Sequence, residues 1–311
     1  MRSPPLSGVI PPVCTPLTAD LEVDTESLRR LVDFLLDAGV DGLFVLGSSS
    51  EAAFLPDEHR RTVTRTVVEQ AAGRVPIIAG VIDMTTLRVL SHVEDALAIG
   101  VDGLVVTAPF YTRTHPAEIE QHFRLVAAGT SGVPVYAYDI PVGVNGVKLS
   151  SEMLLRLAAD GVLAGVKDSS GDEAAFRKLL LGRKAAGLDG FSVLTGSETM
   201  VDAAMRNGAD GVVPGLGNVD PAGYVRLLEH CAAGDWDAAR TEQDRLVNLF
   251  GMADVGSPER MGRGSSAIGA FKGALQLRGI IADGRPAPPA IPLTDEELDE
   301  VRRFLVAADL L

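Results

Sequence analysis

A recurring phrase constrains the fold more than any other feature of the chain. Gly39-Val40-Asp41-Gly42-Leu43-Phe44-Val45 returns as Gly100-Val101-Asp102-Gly103-Leu104-Val105-Val106 and again as Gly208-Ala209-Asp210-Gly211-Val212-Val213. Asp160-Gly161-Val162-Leu163-Ala164-Gly165-Val166 is a looser fourth copy. Each copy follows a helical pattern, carries a glycine suited to a left-handed helix C-terminus, and enters an apolar, β-rich run. Val75–Val81, Val133–Tyr138 and Phe191–Gly196 are further runs of this kind, and with the opening Gly8–Val13 they bring the predicted strands to eight. The segments between show helical periodicity: in Ser27–Ala38, for instance, Leu28, Leu31, Val32, Leu35 and Leu36 share one face.

Continuous apolar strands alternating with amphipathic helices describe a parallel sheet covered by helices. Eight such units over about 220 residues suit a closed (β/α)8 TIM barrel better than an open doubly wound sheet. The predicted barrel covers residues 1–222. Residues 223–311 form a C-terminal helical extension, with helices over Tyr224–Ala233, Trp236–Phe250 and Ala267–Leu277. Its last helix opens on a Thr294–Glu297 capping box after the proline-rich Arg285–Pro292. The extension has too little apolar surface for its own core, so the two parts form one structural unit. Gly215-Leu216-Gly217-Asn218 lacks the third glycine of a dinucleotide fingerprint and comes too late in the chain.

A net charge of −14 opposes a nucleic-acid partner, which needs a basic face. Cys14 and Cys231 lie far apart without a CxxC pair and read as free thiols in a reducing compartment. Met1–Ser7 has no apolar leader core, and no run approaches the roughly 20 apolar residues of a membrane span. A cytoplasmic location without membrane contact is expected. His59, His92, His115, His122 and His230 show no metal-ligand spacing, so surface or structural roles are expected and no metal.

In a barrel the chemistry gathers at the C-terminal ends of the strands. Lys167 ends the buried run Val162–Val166. Such a lysine either snorkels to the rim and pairs with Asp168, or is desolvated toward the neutral amine that acts as a nucleophile. Placement favours the second reading. Lys167 can form a Schiff base with a ketone, whose cationic nitrogen serves as an electron sink. Gly47-Ser48-Ser49, expected at the start of a helix-bearing loop, offers N–H groups and hydroxyls to a carboxylate. Tyr138, one strand from Lys167, can relay a proton.

These residues carry a resemblance. Gly47-Ser48-Ser49-Ser50-Glu51, Tyr138-Asp139-Ile140-Pro141 and Gly165-Val166-Lys167-Asp168 resemble the motifs of the dihydrodipicolinate synthase / N-acetylneuraminate lyase family of class I, pyruvate-type aldolases. The likeness runs from about Gly8 to the last helix. It implies Lys167 as the Schiff-base lysine, Tyr138 as the proton relay and Ser48 as the hydroxyl linking that relay. It implies Gly47 and Ser49 as contacts to the substrate carboxylate and Val213 as barrel wall beside the pyruvate portion. Pro109-Phe110-Tyr111 resembles a family segment whose tyrosine, here Tyr111, reaches across a dimer interface, with a homotetramer (a dimer of dimers) as the usual assembly. No cofactor is implied beyond the covalent imine at Lys167, and the partners implied are a 2-oxo acid, pyruvate, and an aldehyde.

Two positions depart from the family pattern. Ser50 replaces a glycine where the turn would favour a left-handed backbone. Gly143 stands where synthases that condense pyruvate with aspartate semialdehyde place an arginine, so a charge-assisted carboxylate contact is missing. The expectation is therefore a lyase or aldolase acting on a 2-oxo-3-deoxy sugar acid, with Gly143 leaving room and Ser197, Glu198 and Asn218 available to a polyol tail. The alternatives are 4-hydroxy-tetrahydrodipicolinate synthase, a dehydratase of the same family, or a non-catalytic oxo-acid-binding barrel. Lys272 reads as structural, and Glu51 as a group that orients its loop.

Overall fold

The computed structural model describes residues 5–311. Strands and helices alternate as β1 (Gly8–Val9), α1 (Thr25–Asp37), β2 (Leu43–Val45), α2 (Asp57–Ala71), β3 (Ile77–Gly80), α3 (Thr86–Ile99), β4 (Gly103–Thr107) and α4 (Pro116–Ala128). They continue as β5 (Val135–Asp139), α5 (Ser151–Ala159), β6 (Gly165–Asp168), α6 (Glu173–Ala185), β7 (Ser192–Thr195), α7 (Val201–Arg206), β8 (Gly211–Val212) and α8 (Pro221–Ala233). Helices α9 (Trp236–Phe250), α10 (Arg263–Leu277) and α11 (Asp295–Ala307) complete the chain. The eight strands are all parallel in the order β1-β8-β7-β6-β5-β4-β3-β2, the (β/α)8 TIM-barrel arrangement with a C-terminal helical extension.

The last seam, between β1 and β2, closes differently. Phe44 donates its N–H to the Pro11 carbonyl at 3.0 Å, Val13 donates to the Phe44 carbonyl at 2.8 Å, and Asp41 donates to the Val9 carbonyl at 2.9 Å. Pro11 and Pro12 have no N–H to give, so a regular ladder stops there and β1 is shorter than the predicted run Gly8–Val13.

The recurring phrase has a job at each strand entrance. Gly39, Gly100 and Gly208 take the left-handed φ of a helix end (84°, 92° and 96°). The aspartate two residues later turns its carboxylate onto a neighbouring strand. Asp41 accepts the Val9 N–H at 2.8 Å, Asp102 the Ile77 N–H at 2.8 Å, and Asp210 the Val193 N–H at 2.7 Å. Each repeat thus ends a helix and satisfies a backbone donor that the adjacent strand leaves open.

Two apolar layers follow from the strand alternation. Ile10, Phe44, Ile78, Val105, Tyr136, Tyr138, Leu194 and Val213 fill the barrel interior. The larger cluster lies between the strands and the surrounding helices. The predicted division at 222/223 falls inside α8, which Asp220 caps by accepting the Gly223 N–H at 3.0 Å. Helix α8 packs on α7 and β1 and completes the barrel, so the extension begins after Ala233. The Asp-Pro pair at 220–221 is the start signal for this helix.

The extension is tied in by a charge pair. Lys272 of α10 donates to Glu51 at 2.8 Å, both side chains being fully buried, and Glu51 also accepts the Ala287 N–H at 2.5 Å. The pair clamps the loop after β2 to the C-terminal helices. Lys272→Met leaves a buried carboxylate without its counter-charge, and a loss of about 3–5 kcal/mol is expected in urea unfolding. Glu51→Leu combined with Lys272→Met is expected to cost less than Lys272→Met alone. Equal losses in the single and double variants would remove the pair from its clamping role.

Candidate active site

Pairing of β5 with β6 sets Tyr138 directly opposite Lys167. Both side chains point into the barrel, where Lys167 is 7% exposed. Its Nζ lies 4.3 Å from the centroid of the Tyr138 ring and 5.2 Å from that of Phe44. Strand alternation sends the next residues outward, so Asp168 does not pair with Lys167. Asp168 and Asp139 instead share Lys148, whose Nζ is 3.1 Å from Asp168 and also donates to Asp139. The outer charges are thereby absorbed behind the sheet, one residue from each inward-facing group.

Burial favours the neutral Tyr138 phenol, but the Lys167 charge and hydrogen bonds from Ser48, Lys167 and Ser169 outweigh it and hold the phenol below its ordinary range. The Ser48 hydroxyl lies 3.4 Å from the Tyr138 oxygen, long for such a bond and within the range that tightens on substrate binding. Ser169 was not singled out from the sequence. Its place two residues after Lys167 is the available signal, since period two returns it to the same face. Gly196 makes room for it: a Cβ there would strike the Ser169 hydroxyl and come within 3.1 Å of Lys167 Cε.

The loop after β2 is a run of turns, with Glu51 donating its N–H to the Ser48 carbonyl at 3.0 Å and Phe54 donating to that of Glu51 at 2.8 Å. It is not a helix N-terminus, because α2 begins only at Asp57. The left-handed residue is Glu51 (φ 60°), not Ser50, so the serine carries no backbone strain. Ser50 is buried and useful: its hydroxyl accepts the Gly47 N–H at 3.3 Å and donates to the Val13 carbonyl at 2.5 Å. Gly47 must lack a side chain, since a Cβ would sit 2.6 Å from the Phe44 ring. Ser49 faces the loops after β7 and β8. Its hydroxyl and a Glu198 carboxyl oxygen each lie 3.1 Å from where a Gly215 Cβ would stand.

Glu198 and Asn218 are not free to meet a polyol. Asn218 is fully buried, donating to Pro12 and Gly215 carbonyls at 2.9 Å and accepting the Cys14 N–H at 2.9 Å. Glu198 accepts the Leu216 N–H at 2.7 Å and the Tyr224 hydroxyl at 3.2 Å. Burial pushes its carboxyl up to about 7, against the pull of these donors and of Lys167. Ser197 donates its N–H to the Thr195 hydroxyl at 3.0 Å, at the end of β7.

Among the remaining predicted residues, Val213 lies in the inner wall, 2% exposed. Gly143 ends a short 3₁₀ turn after β5 (Pro141–Gly143), and a Cβ there would meet only Ile140, at 3.7 Å. Tyr111 is 83% exposed with a left-handed φ of 74° and joins no contact with Lys167 within the chain. Four of the histidines have partners: His92 pairs with Asp83 at 2.9 Å, His122 with Thr86 at 2.9 Å, His59 with Glu22 at 3.0 Å, and His115 caps α4. Among the described residues, no helix is long and apolar enough to cross a membrane.

The strand order defines a (β/α)8 barrel with a buried lysine, Lys167, near the C-terminal end of its sixth strand. The sequence profile of the Dihydrodipicolinate synthetase family matches residues 5–308. An uncharacterized DapA-like lyase of Halobacterium salinarum is 35% identical over 305 residues, covering 98% of this chain and 93% of the relative. The 4-hydroxy-tetrahydrodipicolinate synthase of Parabacteroides distasonis is 31% identical, covering 96% of this chain and 97% of its own. Among solved structures, YagE of E. coli K12, a prophage protein of the dihydrodipicolinic acid synthase family in complex with pyruvate, superposes with a TM-score of 0.90 at 29% identity, covering 98% and 99% of the two chains. The chain belongs to the dihydrodipicolinate synthetase family of lyases.

The Glu198 carboxyl titrates higher in the folded chain, about 7, than the ordinary 4.5. The folded state therefore holds this proton longer, and stability is lost as pH rises from about 4.5 to 7. Glu198→Gln is expected to flatten that part of the stability curve. Parallel curves for the two proteins across this window would remove Glu198 as the source.

Proposed function

We propose that the chain is a class I aldolase that makes or breaks a carbon–carbon bond beside pyruvate through a Schiff base at Lys167, acting on a 2-oxo-3-deoxy sugar acid. The register that sets Tyr138 opposite Lys167 inside the barrel carries this reading. The Lys167 amine adds to the C2 ketone, the oxygen leaves as water, and the iminium forms. In the cleavage direction Tyr138, held in reach of the phenolate form, takes the proton of the C4 hydroxyl. The C3–C4 electron pair then flows toward the iminium, releasing the aldehyde and leaving an enamine. Protonation at C3 and hydrolysis return pyruvate and the free amine. Gly47 and Ser49 hold the carboxylate, Ser48 links the relay, and Val213 walls the three-carbon end.

The uncharged, open position at Gly143 supports a neutral, hydroxylated aldehyde over aspartate semialdehyde. Tyr111, exposed and conformationally strained, is assigned to the relay of a neighbouring copy, within a dimer that pairs into a tetramer.

Borohydride reduction in the presence of pyruvate is expected to fix one pyruvate on Lys167 and none on Lys167→Ala. A folded wild-type protein that is never trapped would falsify the Schiff-base reading. With pyruvate and a panel of aldehydes, condensation is expected with polyhydroxy aldehydes and weakly with aspartate semialdehyde. Gly143→Arg is expected to raise kcat/KM for aspartate semialdehyde at least 10-fold, the order of one charge-assisted contact. Strong wild-type activity with aspartate semialdehyde would overturn the substrate assignment.

A further inference from the structure

We infer that Phe44 acts with Tyr138 as an aromatic corner that stabilises the cationic iminium on Lys167. The inference rests on the Schiff-base reading above. The Phe44 and Tyr138 rings meet edge to face, with centroids 6.2 Å apart and planes at 84°. Lys167 Nζ lies within cation–π range of both, at 5.2 Å and 4.3 Å. The carboxylates adjacent in sequence, Asp139 and Asp168, are engaged by Lys148, so aromatic rings face the nitrogen on these sides. Phe44 is fully buried, and Gly47 lies against its ring edge, closer than any side chain at that position would allow. The ring therefore has little freedom to turn away.

This placement has a chemical consequence. When the amine adds to the ketone, the carbinolamine is neutral at nitrogen. Uptake of one proton and loss of one water then give an iminium that carries a full positive charge on the same nitrogen. A ring quadrupole within cation–π range favours that cation and does little for the neutral adduct. Phe44 thus moves the balance between carbinolamine and iminium toward the electron sink that bond cleavage requires. A packing role alone would be filled by any apolar group of the same size.

Fluorination separates the two roles, because it drains the ring face of negative charge while almost preserving shape. Phe44 is replaced by mono-, di- and trifluorophenylalanine in the full chain, and by Phe44→Leu. The measurement is the fraction reduced onto Lys167 by borohydride at fixed, subsaturating pyruvate, read by mass spectrometry, with unfolding transitions recorded alongside. The iminium fraction is expected to fall stepwise with each fluorine, reaching a loss of roughly 3- to 30-fold in the equilibrium constant for the trifluoro ring. Unfolding midpoints are expected to stay close to wild type across the fluorinated series. Trapping unchanged across that series overturns the inference while leaving the Schiff base intact. Trapping retained in full by a folded Phe44→Leu protein does the same. A wild-type protein that traps no pyruvate removes the Schiff base and this inference with it.

Discussion

The hydrogen-bond register between β5 and β6 is the constraint on which the chemistry depends. Side chains on a strand alternate, so a slip of one residue would send Lys167 or Tyr138 out of the barrel and bring an aspartate in. The pairing places Tyr138 opposite Lys167 and Asp139 opposite Asp168, separating an aromatic–amine pair inside from a carboxylate pair outside. The outer pair would repel without Lys148 between them. Burial raises the Asp139 carboxyl above its ordinary range, and the hydrogen bond from Lys148 works against that rise. A register error would therefore bury a charge in the apolar interior and strip Lys148 of a partner.

Much of the remaining polar structure positions loops around that pair. Glu51 and Lys272 fix the loop after β2 to the C-terminal helices, Ser50 ties it to Val13 beyond the end of β1, and Glu198 gathers the loops after β7 and β8. These groups are satisfied by one another and by backbone. Close to Lys167 lie small groups: the Ser48 hydroxyl, 3.4 Å from the Tyr138 oxygen, and Gly196, whose missing side chain leaves room for Ser169.

The architecture was legible because the recurring Gly-x-Asp-Gly phrase marks the ends of α1, α3 and α7, and apolar runs mark the strands. The motif residues Lys167, Tyr138 and Ser48 were legible because strand number and position along the strand predict which side chains share the barrel mouth. Three kinds of fact stayed hidden. Backbone accounting across distant segments was one: that Asn218 donates to the Pro12 carbonyl and accepts the Cys14 N–H depends on contacts more than 200 residues apart. Local turn geometry was another, since nothing in Ser50-Glu51 announces which residue takes the left-handed conformation. The third was proline chemistry at the ends of elements, which shortened β1 at Pro11 and began α8 at Pro221.

The seam between β1 and β2 also has a meaning in time. Asn218 fastens the first strand's exit by holding the Pro12 carbonyl and the Cys14 N–H. On the ribosome, residues 12–14 emerge long before residue 218 exists. The first strand can meet β2 early, but it gains its β8 neighbour and its side-chain fastening only after that late loop has been made. The ring is thus locked by a piece made only after all eight of its strands.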